Sequence, residues 1–224
     1  MSELPIDTII CGDCLEVMKD WPDGCVDAVV TDPPYGIDYQ PKGSGSKRRK
    51  QQNRKPCIVN DNHPFDPSPL LRLSKTLVLW GAHHYASRLT DSGGWLVWDK
   101  KRGATLSRGF TASDCELAWT NVGGSVKMFN YMWNGLCRDG EVGEHYHPTQ
   151  KAIALMEWCL KVTGVPADGI VLDPYCGSGT TAVACIRTGR HYIGIEIDPG
   201  YCEIARRRVA AETPSLFAQI GETK

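Results

Sequence analysis

Seven short runs of β-branched and apolar residues, each ending abruptly in polar or turn residues, constrain the fold of this chain most. They are DTIICGD, VDAVVTDPPYG, KTLVLWGA, GGWLVWDK, CELAWT, GIVLDPYCGSG and HYIGIEID. Helical patterns lie between several of them, in CLEVMKDWP, HPTQKAIALMEWCLKVTG, GTTAVACIRTG and YCEIARRRVAAE. Strands that alternate with helices predict a mostly parallel α/β sheet with helices on both faces.

Composition narrows the class of protein further. The 224 residues are 42% hydrophobic and 23% charged, which excludes a disordered or fibrous chain and suits one α/β domain over residues 1–224. No run approaches the length of a membrane span, and the first ten residues lack the basic start of a signal peptide. We therefore expect a cytoplasmic protein whose ten cysteines are reduced.

One segment concentrates positive charge. Residues 40–56 hold seven of the 25 lysines and arginines and no acid, although the whole chain has a net charge of −1. Such a segment predicts a flexible loop over 40–57 that contacts a polyanion, the alternative being an ordinary solvated loop. A second basic patch follows residue 99, and the arginines at 206–208 predict a solvated helix face. The candidate phosphate contacts are Lys47, Arg48, Arg49, Lys50, Arg54, Lys55, Lys100, Arg102 and Arg108.

A glycine-rich loop, DPYCGSGTTA, follows the strand GIVL and opens a helix. Gly177 and Gly179 allow a ligand to approach the backbone closely, and the next strand ends at Glu196, which is placed to accept hydrogen bonds from a ribose. The pair predicts a cofactor of the adenosine type. Ligands of such sheets gather at the carboxyl ends of the strands. Carboxylate side chains end or follow four of the strands there: Asp13, Asp32, Asp173 and Glu196. The alternative for each of them is that it only forms the turn after its strand.

The order of the chain argues against an ordinary dinucleotide enzyme. Only 26 residues follow Asp198, too few for the strands that a dinucleotide domain builds after its first glycine loop. Those strands must come from the N-terminal half, so the nucleotide-binding unit is circularly permuted relative to the rest of the sheet. This order argues against an NAD dehydrogenase.

The segment VDAVVTDPPYG points to chemistry on an amine. Two prolines stiffen the turn and expose carbonyl acceptors. Asp32 and the carbonyl of Pro33 can together accept both hydrogens of an exocyclic amino group, which favours the pyramidal nitrogen whose lone pair can attack. The face of Tyr35 can stack on a base. The alternative is a turn that merely ends the strand.

DPPY, DPYCGSGT, GIEID and HPTQK together resemble the S-adenosylmethionine-dependent amino-group DNA methyltransferases in the permuted β-class order. The resemblance covers most of the chain. It implies a single-domain, seven-stranded Rossmann-like methyltransferase sheet with one antiparallel strand, and S-adenosylmethionine as the cofactor. It implies methylation of adenine N6 in a flipped base of DNA, which we expect to be double-stranded, together with a homodimer and a place in restriction–modification. A short target-recognition region would occupy residues 100–146.

The resemblance also implies residue roles. The flipped base would be held by Asp32, Pro33, Pro34 and Tyr35. The cofactor's methionine part would lie against the glycine loop, its ribose against Glu196 and its adenine beside CGDC, with HPTQK near its carboxylate. The full predicted cofactor set is Asp13, Cys14, Asp32, His147, Thr149, Lys151, Asp173, Tyr175, Cys176, Gly177, Ser178, Gly179, Thr180, Glu196 and Ile197.

Two departures and several alternatives accompany the resemblance. Tyr175 stands where the family usually has Phe, and Ala152 where it commonly has Pro. Cytosine N4 is the second candidate target, followed by RNA or a protein amide, and a catalytically silent DNA- or cofactor-binding module is the alternative from another class. We expect no metal, because methyl transfer to an amine needs none. Three groups of residues have side chains that can bind a metal but are given no metal-binding role here: Cys11 with Cys14, Cys137 with His145 and His147, and His83 with His84.

Overall fold

The computed structural model describes residues 3–38, 61–101, 113–134, 137–140, 146 and 149–220. All seven predicted strands are present, and three short strands are added between the fifth and the sixth of them. In chain order the strands are β1 (Thr8–Cys11), β2 (Ala28–Thr31), β3 (Leu77–Trp80), β4 (Trp95–Asp99), β5 (Cys115–Thr120), β6 (Lys127–Asn130), β7 (Trp133–Asn134), β8 (Cys137–Arg138), β9 (Ile170–Asp173) and β10 (His191–Glu196).

Eight of these strands form one sheet in the order β1-β10-β9-β2-β3-β5-β4-β6. Only β5 among them runs antiparallel to its neighbours β3 and β4. The sheet thus has the single antiparallel strand that we expected but one strand more, because β6 pairs with β4 at the edge. Strands β7 and β8 form a separate two-stranded ribbon.

The burial of each strand matches its position in the sheet. Every residue of β2 and β3 is buried, which fits strands covered by helices on both faces. In β4 buried and half-buried residues alternate, which is typical of a strand nearer the edge. The residues of β6 are mostly exposed, and its short sequence KMFN has neither the alternation nor the apolar run that would predict a strand.

Helices α1 (Cys14–Met18), α2 (Ser68–Leu71), α3 (Ile153–Thr163), α4 (Thr180–Arg187) and α5 (Pro199–Ile220) complete the described fold. Asp13 caps α1 by accepting a hydrogen bond from the Leu15 N–H at 2.8 Å. Helix α3 ends at Gly164, whose left-handed conformation (φ 67°) is the usual stop for a helix. None of the described helices is both long and apolar enough to cross a membrane.

Two apolar clusters fill the space between the sheet and its helices. One contains the interior of α3 and α4 and includes the edge-on ring pair of Trp80 and Trp98. The other lies on the opposite face and includes Met18, Phe65 and Tyr85. The sheet is therefore covered on both faces, as the alternation of strands and helices predicts.

Helix α5 packs directly on the glycine loop at Gly179. A Cβ on Gly179 would lie 2.9 Å from the Cβ and 3.2 Å from the Cα of Ala205, and Gly179 also has a positive φ of 80°. This glycine is therefore required by the packing of α5 as well as by its own backbone conformation.

We expect Gly179→Ala to lower the free energy of unfolding by about 1–3 kcal/mol more than Gly189→Ala. Gly189 is the matched control, because it has a φ of 65° but no atom within 4 Å of an added Cβ. Both variants carry the backbone strain, and only the first meets Ala205. Urea denaturation monitored by circular dichroism measures the difference. Equal losses in the two variants would contradict the packing role.

Candidate active site

The sheet order gathers the predicted site segments at one edge. Strands β1, β10, β9, β2 and β3 are parallel neighbours, so their carboxyl ends lie side by side. The register pairs Cys11 with Glu196 across β1 and β10, and Gly194 with Asp173 across β10 and β9. The expected common edge is thereby confirmed for the acidic residues that end or follow these strands, which are Asp13, Asp32, Asp173 and Glu196.

Asp32, directly after β2, has both carboxylate oxygens engaged. Its Oδ1 accepts a hydrogen bond from the Tyr35 hydroxyl, and its Oδ2 accepts one from the Lys151 ammonium. The Asp32 side chain is 20% exposed and that of Lys151 only 9%. The carboxylate predicted from the DPPY segment is therefore held in a largely buried ion pair.

This ion pair is part of a chain of alternating charges. The Lys151 Nζ also lies 3.1 Å from Oε2 of Glu116, on β5. Oε1 of Glu116 in turn accepts a hydrogen bond of 2.8 Å from Lys100, which follows β4. Two carboxylates and two ammonium groups thus alternate, so that each buried charge has a neighbour of opposite sign.

Burial and charge act against each other on the pKa values of these groups. Burial raises the pKa of Asp32, Lys151 lowers it and Glu116 raises it, with a net increase. Burial also favours the neutral form of Glu116, but Lys151 and Lys100 outweigh it and bring the Glu116 pKa down to about 2. Burial lowers the pKa of Lys151, whereas its two carboxylate partners raise it by more. Lys151 and Glu116 are consequently both charged at neutral pH.

Tyr35 packs into a close-fitting position. Its ring stacks on that of His84, with centroids 4.9 Å apart and an interplanar angle of 17°. The ring also lies against Gly81, where an added Cβ would come within 1.9 Å of Tyr35 Cε1. Gly81 has a positive φ of 68°, so glycine is favoured there by both its conformation and its lack of a side chain.

The glycine loop is fixed by Glu196. The Gly177 N–H donates to Glu196 Oε2 at 2.8 Å, and the Asp198 N–H donates to Oε1 at 2.8 Å. Burial raises the pKa of Glu196, and these two backbone donors oppose that increase. The predicted ribose acceptor therefore also ties β10 to the loop after β9.

Asp173 joins the two halves of the site. Its carboxylate accepts hydrogen bonds from Thr31 at the end of β2, at 2.7 Å, and from Thr181 in α4, at 2.6 Å. The Tyr175 N–H adds a third at 3.2 Å. Burial raises the pKa of Asp173 to about 6 against these three donors. These contacts are all within the protein, and the expected place of Asp173 beside the cofactor stays a prediction.

The remaining predicted cofactor residues divide by environment. Cys176 and Ser178 are buried in the loop, Thr180 is buried at the start of α4, and Cys14 is buried at the start of α1. Tyr175 makes an edge-on ring contact with Phe65 at 5.9 Å. Ile197 is apolar yet 39% exposed, immediately beyond Glu196. Their contacts with a cofactor stay predictions, and His147 lies outside the described residues.

Of the segment HPTQK, the structure describes Thr149, Gln150 and Lys151. The side-chain oxygen of Gln150 accepts a hydrogen bond from the Tyr146 N–H at 3.0 Å, and the backbone carbonyl of Gln150 accepts one from the Trp133 indole at 3.1 Å. The Lys151 ammonium lies between Asp32 and Glu116, and its expected place near the cofactor's carboxylate stays a prediction. Helix α3 begins normally after Ala152, the position where the family commonly has Pro.

Of the candidate phosphate contacts, the structure describes Lys100. Its ammonium points to Glu116 and also lies 5.9 Å from the ring centroid of Trp98. The neighbouring Lys101 pairs with Asp114. The other predicted contacts lie outside the described residues, and they stay predictions: Lys47, Arg48, Arg49, Lys50, Arg54, Lys55, Arg102 and Arg108.

A sequence profile described as DNA methylase (N6_N4_Mtase) matches residues 97–207. The chain is also 27% identical over 245 aligned residues to the type II methyltransferase M2.MboI of Moraxella bovis, covering 92% of this chain and 88% of that protein. The chain belongs to the N6/N4 DNA methylase family. Its membership confirms the resemblance inferred from the four motifs, and S-adenosylmethionine is the cofactor of this family.

Two solved structures show that this DNA methylase shares its fold with other methyltransferases. The complex of M1.HpyAVI with S-adenosylmethionine has a TM-score of 0.58 and 24% identity, covering 90% of this chain and 98% of that one. The cytosine-N4-specific PvuII DNA methyltransferase has a TM-score of 0.59 and 16% identity, covering 92% and 89%. At these identities the likeness establishes the fold alone.

Sequence reasoning missed two polar residues of the methylase site. Glu116 lies inside the correctly predicted strand CELAWT, where an acid amid apolar residues was the available signal. Arg208 belongs to the arginines that we expected on a solvated face. It donates instead to the Ser178 carbonyl at 2.6 Å and to the Thr180 hydroxyl at 3.2 Å, and it lies 5.1 Å from the Tyr146 ring centroid.

No cluster of three or more potential metal ligands occurs among the residues that the structure describes. Within the same residues, His83 and His84 lie against each other with ring centroids 3.9 Å apart, and His84 stacks on Tyr35. Burial lowers the pKa of His84, and His83 lowers it further. His84 thus supports the ring of Tyr35.

Proposed function

We propose that this DNA methylase transfers the methyl group of S-adenosylmethionine to the N6 amino group of adenine in DNA. The observation that carries the proposal is the position of Asp32, a largely buried acceptor at the end of β2, next to the glycine loop that follows β9. Family membership supplies the reaction class, and the residues around Asp32 supply the reason for an amine target.

Asp32 acts as the acceptor for the target amine. An aromatic amine is a poor nucleophile because its lone pair is delocalised into the ring. A carboxylate oxygen and the Pro33 carbonyl that both draw on its N–H bonds favour the pyramidal nitrogen. A preorganised acceptor in a site with little water acts more strongly than it would in solution. The remaining proton can leave to solvent after the transfer.

The cofactor set fits S-adenosylmethionine by its chemistry. Glu196 is a half-buried acceptor suited to the hydroxyls of a ribose. The exposed apolar side chains of Ile197, directly after β10, and of Leu15, in α1, suit an adenine ring. Asp32, Asp173 and Glu196 make the edge acidic, which suits a sulfonium cation. When bound, S-adenosylmethionine supplies an electrophilic methyl group. The protein's part is to orient the amine toward it and to exclude water.

Entry of a base requires a rearrangement at Asp32. A base within duplex DNA must first leave the helix, which costs a few kcal/mol. The Tyr35 hydroxyl and Lys151 hold both oxygens of Asp32, so the amine must replace one of these donors. Tyr35 is the donor that the amine replaces, because Lys151 is held by Glu116 as well as by Asp32, and displacing the Tyr35 hydroxyl would free Oδ1 and leave an aromatic face for the base.

Adenine is favoured over cytosine by the DPPY sequence itself. Within the family an Asp at the first position leans toward adenine N6, and a Ser there leans toward cytosine N4. The shared fold with a cytosine-N4-specific enzyme is the specific observation that keeps cytosine N4 as the second candidate. A catalytically silent binding module is disfavoured because the four DPPY residues and both loop glycines are intact.

We expect Asp32→Ala and Asp32→Asn to lower the rate of methyl transfer to unmethylated plasmid DNA by at least about a hundredfold. Each variant removes the carboxylate acceptor, whereas affinity for S-adenosylmethionine should stay within a few-fold of wild type by calorimetry. Transfer of radiolabelled methyl groups gives the rate, and mass spectrometry of the digested DNA identifies the methylated nucleoside.

The matched control is Asp23→Ala, which removes an exposed carboxylate paired with Arg72. This variant should retain the wild-type rate. An active Asp32→Ala enzyme would contradict the mechanism. N4-methylcytosine as the product would show that the target base is cytosine and would leave the mechanism unchanged.

We also propose that the basic segment over 40–57 contacts DNA phosphates, which position the enzyme without specifying sequence. Its charge supports the proposal, since seven cations occur there without an acid. Replacement of Lys47, Arg48, Arg49 and Lys50 by Gln should weaken DNA binding at low salt. It should also reduce the slope of log affinity against log salt by about 0.9 for each phosphate that the segment no longer neutralises.

Fluorescence anisotropy with a labelled duplex at several salt concentrations measures this slope. The control replaces four exposed cations elsewhere, so that the net charge is the same. They are Lys19, Lys75, Lys161 and Arg207. An unchanged slope after the first replacement, or equal slopes in both variants, would show that the segment does not contact phosphates.

A further inference from the structure

We infer, on the basis of the proposed function, that Glu116 is a positioning residue of the methyl transfer. It acts through the Lys151 ammonium to set how strongly Asp32 accepts a hydrogen bond from the target amine. Glu116 itself need not touch base or cofactor. Neither the predicted motifs nor the resemblance assigns it a role.

The geometry places Glu116 one ion pair away from the acceptor. The Lys151 ammonium bonds to Oδ2 of Asp32 and lies 3.1 Å from Oε2 of Glu116. Lys100, 2.8 Å from the other oxygen of Glu116, ends the chain of charges. Glu116 lies on β5, opposite Trp98 of β4, so the one antiparallel strand of the main sheet carries it to the site.

Asp32 is a good acceptor for the target amine because it shares the Lys151 ammonium with Glu116. Without a cation, burial would favour the protonated acid, which accepts the hydrogens of an amine more weakly than the carboxylate does. With Lys151 entirely to itself, Asp32 would be neutralised by a strong ion pair in a largely dry site and would accept the amine poorly. The negative charge of Glu116 offsets part of the effect of the ammonium on Asp32, so that the pKa of Asp32 is higher than it would be beside Lys151 alone.

A purely structural role explains the arrangement less well. Charged groups lose solvation when they are buried, so a buried ion pair is weak evidence for added stability. This chain of charges ends at the acid of the DPPY segment, and its members come from four parts of the sequence. A structural pair elsewhere in the protein, Arg187 with Glu212, provides a comparison, since Glu212 is 22% exposed and Glu116 is 25% exposed.

The pH dependence of the reaction distinguishes the two roles. The acid limb of the pH–rate profile follows the ionisation of Asp32, whose pKa Glu116 raises and Lys151 lowers. Removing the charge of Glu116 therefore lowers that pKa and moves the limb to lower pH. The titratable or charged groups that face Asp32 from the surrounding elements are Tyr35, Tyr85, Glu116, Lys151 and Asp173.

The test is the pH profile of methyl transfer at saturating S-adenosylmethionine and unmethylated plasmid DNA. Glu116→Gln should lower the plateau of kcat about tenfold or more and shift the acid limb to lower pH. KM for both substrates should stay within about twofold, because no binding group is removed. Glu116→Asp, which keeps the charge, should restore the limb and part of the rate.

Lys100→Gln provides a test with the opposite sign. Removing the outer cation strengthens the hold of Glu116 on Lys151 and raises the pKa of Asp32, so the acid limb should move to higher pH. Glu212→Gln is the matched control, and its profile should equal that of the wild type. Thermal unfolding and calorimetric binding of S-adenosylmethionine, measured for each variant, report folding and the cofactor site independently of activity.

An unmoved acid limb in both Glu116→Gln and Lys100→Gln would overturn the inference. A loss of rate in Glu116→Gln that Glu116→Asp does not rescue would overturn it as well. If Glu116→Gln fails to fold, the direction of the shift in Lys100→Gln decides. A wild-type chain without methyl transfer to DNA would overturn the proposed function itself, whereas an active wild type with unmoved limbs overturns only the role of Glu116.

Discussion

The ion pair of Asp32 and Lys151 is the interaction around which this site is organised. The two residues are 119 positions apart in the sequence, and the Lys151 side chain is only 9% exposed. A buried charge is tolerated only with a partner and hydrogen bonds, so each of the two residues stabilises the other in its place. The pair fastens the loop after β2 to the segment before α3, and it extends through Glu116 and Lys100 to β5 and β4.

A second buried carboxylate links this pair to the glycine loop. Asp173 joins the end of β2 to the start of α4 through Thr31 and Thr181. The acceptor side of the site and the glycine loop are consequently parts of one hydrogen-bonded unit. This coupling joins the DPPY segment to the glycine loop, although DPPY precedes that loop in the permuted chain. The parallel pairing of β2 with β9 supplies the short distance.

The sequence patterns predicted the features that depend on residues close together in the chain. Apolar runs identified the seven main strands. The glycine loop was predicted because the glycines that its backbone conformation needs lie close together in the sequence. The exposed edge strand β6 escaped because its four residues have no apolar period. The pairing of Lys151 with Asp32 was not predicted for another reason, because two residues 119 positions apart form no recognisable spacing pattern in the sequence. Glu116 and Arg208 escaped likewise, because their roles exist only once β5 and α5 are packed against the site.

The chemical nature of the target, an exocyclic amine of adenine in DNA, is the central claim to be tested. The most direct measurement is to express the chain in a host that lacks DNA methylation and to analyse the host's DNA by modification-sensitive single-molecule sequencing. We expect N6-methyladenine at one recurring sequence. N4-methylcytosine would contradict the assignment of adenine. An absence of any mark, from a folded chain that binds S-adenosylmethionine, would contradict the assignment of DNA as the substrate.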